Sequence, residues 1–548
     1  MTRILNSSGD WRDKIIADLI VIALCGFALV KAIQTTGDLR WPYDLDQFRE
    51  IGIAQSILDH RYGTDHLYRG ETIWYNPLTS IVVATLTRVT STPVYLVVTR
   101  AGPYLNLLGP IAFYILIAYL FERWTALAAT SAFLFAPIGE APGWAAATYS
   151  PWLFSPNFTQ AFFYFGLASY AKALGSTGLR NGTARQASWR WEVATGFLLG
   201  LTFLGHTAPA VILGAIIVLT ILTRLISGGE NRAKRLRAPL IILATAFIVS
   251  LPFTFSILFH YHLRVANPVP GNWLYPSVDL KNLPELLGSF LSWFTLVALV
   301  GLGAMIKSAD RHHRKALLLV WLIIAVAAVS LNELQQFISP DLHLMLVPAH
   351  HFLFYLHALE DIFFGIGLVW ICRFCAQALP AFFRTRVRAQ PAIVGVAILC
   401  FLLAAFPSYS KRFDFTKARE HAIGFQERAD YFDAYRWILE NTKPENVFLS
   451  LSGDLDLSIV GPADRKTVVT CQPEFSNPYV SWKDRVETAT QIVDKLAAGA
   501  PEVRAMLSAA HVDYIITAPL NQFDQAEFSF LSKEFGEGNV AIYKVRAD

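Results

Sequence analysis

The chain predicts a polytopic α-helical membrane body with a small C-terminal α/β domain, and three observations carry that fold class. Of 548 residues, 54% are hydrophobic and 16% charged, with a mean hydropathy of +0.40. Apolar runs approaching the roughly 20 residues that cross a bilayer as helix recur as far as Phe406. From Pro407 onward those runs stop and the composition becomes charged and mixed. An ordinary soluble protein is excluded. The formal charge of +4 gathers in particular inter-helix linkers, which is a topology signal rather than a nucleic-acid one.

The first run, Ile15 to Ile33, follows Arg12 and Lys14, and Lys31 to Thr36 offers no small-x-small cleavage site. It reads as a retained signal anchor with the N-terminus cytoplasmic. Residues 37–93 then form a long external loop, and Val94 to Leu120 returns. Thr125 to Pro137 goes out and Phe158 to Ala173 comes back. Val193 to Leu204 and Ala210 to Leu222 make a tight pair around His206. Leu240 to Phe259 exits into a second external loop, His260 to Pro284.

Leu286 to Met305, Leu317 to Ser330, Phe352 to Ile371 and Ala392 to Phe406 complete about 11 spans. The strongly basic linkers, those around Arg185, Arg235, Arg311 and Arg386 among them, all fall on the side of the basic N-terminus. Residues 1–410 are therefore read as the membrane domain and 411–548 as an external α/β domain. In the latter, Arg428 to Glu440 and Lys483 to Ala498 have helical periodicity. Val447 to Leu451, Tyr514 to Thr517 and Val540 to Tyr543 read as strands, with turns at Pro519 and Gly538. At about 140 residues this part is large enough for its own core.

Cys25, Cys372, Cys375, Cys400 and Cys471 make no disulfide framework; Cys372 and Cys375 lie at a helix end beside Arg373 and read as ordinary helix residues. The chemistry gathers at the external face. The first loop supplies Asp44, Asp46, Glu50, Asp59, Arg69 and Glu71, and Arg100 lies near the outer end of the following helix. The second loop supplies His260, His262, Arg264 and the run Trp273-Leu274-Tyr275-Pro276. The approach to the tenth span supplies Asp341, His343, His350 and His351, followed by Glu360 and Asp361 inside an apolar helix. Ionisable groups in spanning helices face a partner or a wet cavity. Glu360 and Asp361 are adjacent and so diverge.

Glycosyl transfer from a lipid phosphate needs a carboxylate as general base, cations for the departing phosphate and an apolar groove. All three are available on one side. Each group also has a plainer reading. Asp44 and Asp46 would equally solvate a loop, and His206 reads as a polar turn residue. His350 and His351 diverge on a helix and make a poor metal pair, and Trp273 and Tyr275 fit an interfacial belt.

The segment Asp46-Gln47-Phe48-Arg49-Glu50-Ile51-Gly52-Ile53-Ala54 resembles the first-loop signature of the GT-C superfamily of membrane glycosyltransferases. That superfamily includes lipid A aminoarabinose transferases, protein O-mannosyltransferases and arabinosyltransferases. Asp46, Phe48 and Ala54 take the places of its acidic, aromatic and alanine positions. Gly70-Glu71-Thr72-Ile73-Trp74-Tyr75-Asn76-Pro77-Leu78 is similar to its proline-ended approach to the second helix. Gln47 stands where a second acid is common, and Phe48 where a tyrosine is usual.

The resemblance implies a polyprenyl-phosphate sugar donor, Asp46 as base with Asp44 beside it, and inversion at the anomeric carbon. It leaves the acceptor (lipid, glycan or protein) open. From their position at the external face, the candidate donor-phosphate and substrate contacts are Arg100, His260, His262, Arg264, His350, His351, Glu360 and Glu71. Asp44-Leu45-Asp46 is DxD-like, as in oligosaccharyltransferases, so a divalent metal stays an open question. Two other readings remain open: a transporter or flippase of lipid-linked saccharides, and a non-catalytic assembly factor. The first is disfavoured because no pair of Gly/Pro-broken spans repeats in two halves.

Overall fold

The computed structural model describes residues 11–136, 148–176, 182–226, 232–267, 292–308, 312–338, 347, 350–378, 389–413, 419–420, 424, 428–518 and 528–546. Its helices are α1 (Trp11–Thr36), α2 (Leu45–Leu58), α3 (Leu78–Thr90), α4 (Val94–Arg100), α5 (Gly102–Leu105), α6 (Leu108–Leu120), α7 (Arg123–Phe135), α8 (Ser155–Ser176) and α9 (Gly182–Gly205). Then come α10 (Thr207–Ile226), α11 (Arg232–Phe255), α12 (Trp293–Lys307), α13 (His312–Ile338), α14 (His350–Ala378), α15 (Ala389–Phe413) and α16 (Ala429–Asn441). After β1 (Val447–Ser450) and β2 (Lys466–Thr467) follow α17 (Trp482–Ala497), α18 (Val503–Ala509), β3 (Tyr514–Thr517), β4 (Leu531–Glu537) and β5 (Val540–Val545).

Contacts divide the chain into two compact units. The first comprises Met1–Gly37, Gly102–Ser250 and Gly271–Thr416; the second comprises Asp38–Ala101, Leu251–Pro270 and Lys417–Asp548. Among the described residues five helices are long and apolar enough to cross a membrane: Asp13–Thr36, Gly102–Leu120, Leu236–His260, His351–Gln377 and Pro391–Tyr409. The pair α3 and α4, bent by 114°, adds a sixth if counted as one span. Thr207–Thr223, Trp293–Lys307 and Lys315–Leu331 are apolar but shorter. Helices also stand where the other spans were expected. Of these, α7 has only 13 residues, and α8 opens with Ser155, Asn157, Thr159 and Gln160.

One expected span differs in kind. Val94 to Leu120 is not a single helix: α4 stops at Arg100, and Gly102-Pro103 starts a new element. Proline has no N–H to give to the preceding turn, so it begins helices more readily than it continues them. Residues 37–93 likewise are no plain loop, because they contain α2 and α3.

The first unit packs around aromatic rings. Phe163 meets Trp321 at 5.1 Å and Tyr355 at 4.6 Å between centroids, and Phe113 meets Phe133 at 4.6 Å. Helices α12 and α14 approach closely because Gly301 faces the Phe363 carbonyl and Gly367 the Val297 carbonyl. Small residues allow such approach where no hydrophobic drive separates helix from lipid.

In the second unit a five-stranded sheet runs in the order β2-β1-β3-β5-β4. Strand β1 is parallel to β2 and β3, while β5 is antiparallel to β3 and β4. Helix α17 buries Ala489, Ile492 and Leu496, one helical stripe, against Leu449, Leu507 and Ile515. The β1, β3 and β5 expectations hold; β2 and β4 were not foreseen. Strand β2 is two residues long and β4 is mostly polar, so neither carries a hydrophobic alternation.

The early segment 38–101 belongs to this unit through specific bonds. Thr467 N donates to Leu67 O at 2.8 Å, so the segment covers the free edge of β2. The Lys466 ammonium reaches Asp65 O at 2.7 Å and Asp464 at 3.0 Å, and Arg61 pairs with Asp464 at 2.9 Å. Asn477 donates to Asp65 Oδ2 at 3.0 Å and to the Tyr261 hydroxyl at 2.8 Å. Trp41 packs its ring against Tyr435 (4.9 Å) and Phe432 (5.5 Å).

Candidate functional site

Helix α2 organises the acidic cluster. Asp44 is its N-cap, extended at φ −122°, ψ 143°, and its carboxylate accepts from Asp46 N at 2.9 Å. This satisfies one of the helix's open N–H groups, the usual reason for an aspartate there. Asp46 lies in the first turn, where the helix dipole favours negative charge. Three residues on, one turn along the same face, Arg49 places Nη2 2.5 Å from Asp46 Oδ1. The Asp46 side chain is 30% exposed and that of Arg49 8%.

Arg49 is further confined by aromatic rings, with its guanidinium carbon 3.6 Å from the Tyr75 centroid and 5.6 Å from that of Phe475. Glu50 is buried and accepts a hydrogen bond from the Ser80 hydroxyl, joining α2 to α3. Burial pushes the Asp44 carboxyl up to about 7, and the neighbouring Asp46 adds to this; the Asp46 N–H and Arg49 oppose it. Burial works against charge on Arg49, yet Tyr75, Asp46 and Glu50 hold its proton more tightly than usual. Burial, with Lys466 and Arg49, keeps the His66 imidazole neutral, well below its ordinary value.

The other expected residues are distributed differently. Glu71 Oε2 lies 3.9 Å from His260 Nε2 and accepts from the Tyr261 hydroxyl at 3.2 Å. His262 and Arg264 are exposed, and His262 adopts a left-handed φ of 52°. Arg100 does not reach Asp46; its Nε donates to Leu39 O at 2.8 Å. Asp44, Asp46, Glu71, Arg100, His260, His262 and Arg264 all belong to the second unit, and only two close pairs form among them, Asp44 with Asp46 and Glu71 with His260.

His351 and Glu360 belong to the first unit. His351 meets the His206 ring at 4.6 Å between centroids, a pairing not anticipated. Glu360 accepts from the Thr295 hydroxyl at 2.8 Å and lies 3.6 Å from His357, so its partner is on α12. Asp361 is buried beside it. His350 opens α14, but its side chain lies outside the described residues, as do Trp273 to Pro276, Asp341 and His343.

A divalent metal does not fit Asp44 and Asp46 as they stand. One Asp44 oxygen caps α2, and an Asp46 oxygen is taken by a guanidinium, so a cation already occupies that position. Among the described residues no group of three or more His, Cys, Asp or Glu side chains suits a metal ion.

Beside the cluster is a crevice of about 210 Å³ lined by Leu45, Phe48, Arg49, His66, Leu457 and Phe475. It is too narrow to admit a free water, and smaller than the ~300–1,000 Å³ of typical ligand pockets. Asp46 does not line this crevice, and its side chain stays partly open to solvent. A partly exposed carboxylate fixed in direction by a buried guanidinium can accept a proton from a positioned hydroxyl.

The sequence reading passed over Arg49, Tyr75 and Ser80. The Asp46–Arg49 spacing of three residues was a usable signal once 45–58 is helical. The ring contacts had none, because they depend on where other segments return.

No protein-family model and no curated protein matches the sequence. Solved structures match in fold. ArnT from Cupriavidus metallidurans, bound to undecaprenyl phosphate, aligns at a TM-score of 0.57 and 14% identity, covering 96% of this chain and 98% of that one. The Archaeoglobus fulgidus oligosaccharyltransferase, tethered to an acceptor peptide, aligns at 0.56 and 14%, covering 91% and 69%. The mycobacterial arabinofuranosyltransferase AftD aligns at 0.54 and 13%, covering 96% of this chain and 40% of that one. These neighbours are GT-C glycosyltransferases, and the fold implied by the first-loop resemblance is the fold found.

Proposed function

We propose that this chain is a membrane-integral glycosyltransferase. It would move a sugar from a polyprenyl-phosphate donor to an acceptor hydroxyl at the external membrane face, with inversion. The N-terminus is cytoplasmic in this reading and the strand-bearing unit is external, as the basic linkers suggest. Asp46 takes the acceptor's proton, the hydroxyl oxygen attacks the anomeric carbon, and the lipid phosphate leaves with the bonding electron pair. His260 and Glu71, Arg264, His262, Arg100, His350, His351 and Glu360 remain the candidate contacts to donor and acceptor.

One observation carries the reading: an aspartate in the first turn of α2, fixed by Arg49 yet open over 30% of its side chain. The shared fold supports the substrate class, since ArnT and the archaeal oligosaccharyltransferase have been seen with undecaprenyl phosphate and dolichol phosphate. The test is transfer by the purified protein from tritiated polyprenyl-phosphate sugars (arabinofuranose, mannose and glucose). Asp46→Asn is expected to lose ~10²–10⁴-fold in turnover, the usual contribution of a general base. The variant should remain folded, with its unfolding midpoint lowered by loss of the Arg49 pair. Near-wild-type turnover in that variant removes Asp46 as the base.

A further inference from the structure

Resting on that reading of Asp46, we infer that Phe475 is a positioning residue: from the turn Pro473–Phe475 it confines the Arg49 guanidinium and so aims the Asp46 carboxylate. An arginine side chain has many rotamers, and holding it in one ion-pair geometry costs entropy unless its surroundings confine it. Here the surroundings are two rings, Tyr75 and Phe475, at 3.6 and 5.6 Å. Arg49 Nε is buried with no hydrogen-bond partner among the described residues, so these rings, not a bond, restrain that edge of the guanidinium.

Phe475 has a second hold on the same helix start. It packs with Leu45 against Leu67, Tyr68 and Leu457, and Leu45 is the residue between Asp44 and Asp46. The turn that carries it is itself fixed. Phe475 N bonds Gln472 O at 3.3 Å, and the Ser476 hydroxyl bonds Pro473 O at 2.6 Å. Asn477, two residues on, is tied to Asp65. One ring from the C-terminal part of the chain thus sets both the cation beside the base and the backbone that presents it. This gives the C-terminal part a role in the chemistry beyond bracing. Phe475 acts through Arg49, which itself pairs with the Asp46 carboxylate.

The experiment compares wild type with Asp46→Asn, Phe475→Leu, Phe475→Tyr and Arg49→Lys, using the tritiated donors above from pH 5 to 9. Phe475→Leu is expected to lower kcat about ten- to a hundred-fold, the effect of a misplaced catalytic group, with donor KM unchanged. Arg49→Lys should behave alike, and Phe475→Tyr, which keeps the ring, should restore kcat.

A raised KM with kcat unchanged would overturn the inference, making Phe475 a binding surface. Equal losses in the Leu and Tyr variants with lowered unfolding midpoints would also overturn it. An inactive Asp46→Asn beside a wild-type-like Phe475→Leu rejects the inference and leaves the base assignment standing; an active Asp46→Asn rejects both. A cryo-EM map of Phe475→Leu decides the point without turnover: the Arg49–Asp46 pair must separate or lose order, and an unchanged pair rejects the positioning role.

Discussion

Gly52 of α2 faces the carbonyl oxygen of Gly461, so closely that a methyl group at Gly52 would overlap that oxygen and crowd the His66 ring. Helix α2 therefore lies directly on the backbone that follows the π-helical turn Asp456–Val460. The glycine in the middle of the first-loop signature is there for that approach. In isolation alanine would strengthen the helix by about 1 kcal/mol. Overlap with a fixed backbone oxygen costs more, about 1–3 kcal/mol, because no rotamer change relieves it. Gly52→Ala is expected to lower the unfolding midpoint and shift Asp46, whereas Gly26→Ala in α1, with nothing within 4 Å, should not destabilise. Thermal unfolding in detergent compares the two directly.

Lys466 is almost wholly enclosed, donating to Asp65 O and pairing with Asp464, which is also buried. Replacing it by methionine keeps the volume but leaves Asp464 with Arg61 alone. Breaking a buried pair from one side costs about 3–5 kcal/mol. Lys466→Met should accordingly open the 447–467 region to protease at lower denaturant than wild type, with Asp464→Asn in the same chain recovering part of the loss.

The Ser80 hydroxyl donates to the buried Glu50. Ser80→Ala removes a hydrogen-bond donor from that buried carboxylate, a cost of about 1–3 kcal/mol. Glu50→Gln placed on the Ser80→Ala background removes the charge and should recover stability. A double-mutant cycle on unfolding midpoints measures the coupling; strict additivity would show that the contact contributes nothing.

Asp456 and Asp464 give the second unit a pH dependence of definite sign. Burial pushes Asp456 up to about 7, against the Cys471 N–H, and Asp464 up to about 6, against Lys466 and Arg61. In the unfolded chain both titrate near pH 4, about the ordinary value. The folded state thus keeps protons that the unfolded state has released. Their contribution is fullest below about pH 4 and is lost as pH rises through about 6 to 7. Unfolding midpoints taken from pH 8 down to 5 should rise, and Asp456→Asn, which imitates the protonated acid, should flatten that slope. An equally steep slope in Asp456→Asn would assign the effect elsewhere.

Much of the molecule was written locally. The spans around Ile15 to Ile33 and Phe352 to Ile371, and the strands around Leu449 and Ile515, follow from runs of side chains that leave water. Such burial is decided within a stretch of about 20 residues or fewer. Asp44 as an N-cap and Asp46 with Arg49 on one helical face are likewise short-range consequences of α2. Hydropathy runs Val94 to Leu120 straight through Gly102-Pro103, although the residues that make the break stand in the sequence. Tertiary structure alone decided that Gly52 rests on Gly461, that Lys466 answers Asp65, that His206 meets His351, and that Phe475 closes over Arg49. Each joins positions far apart in the chain, where periodicity and propensity carry no information, because contact there depends on how whole segments pack. The sequence determined which residues carry charge and which elements present them; packing determined which of those charges stand together.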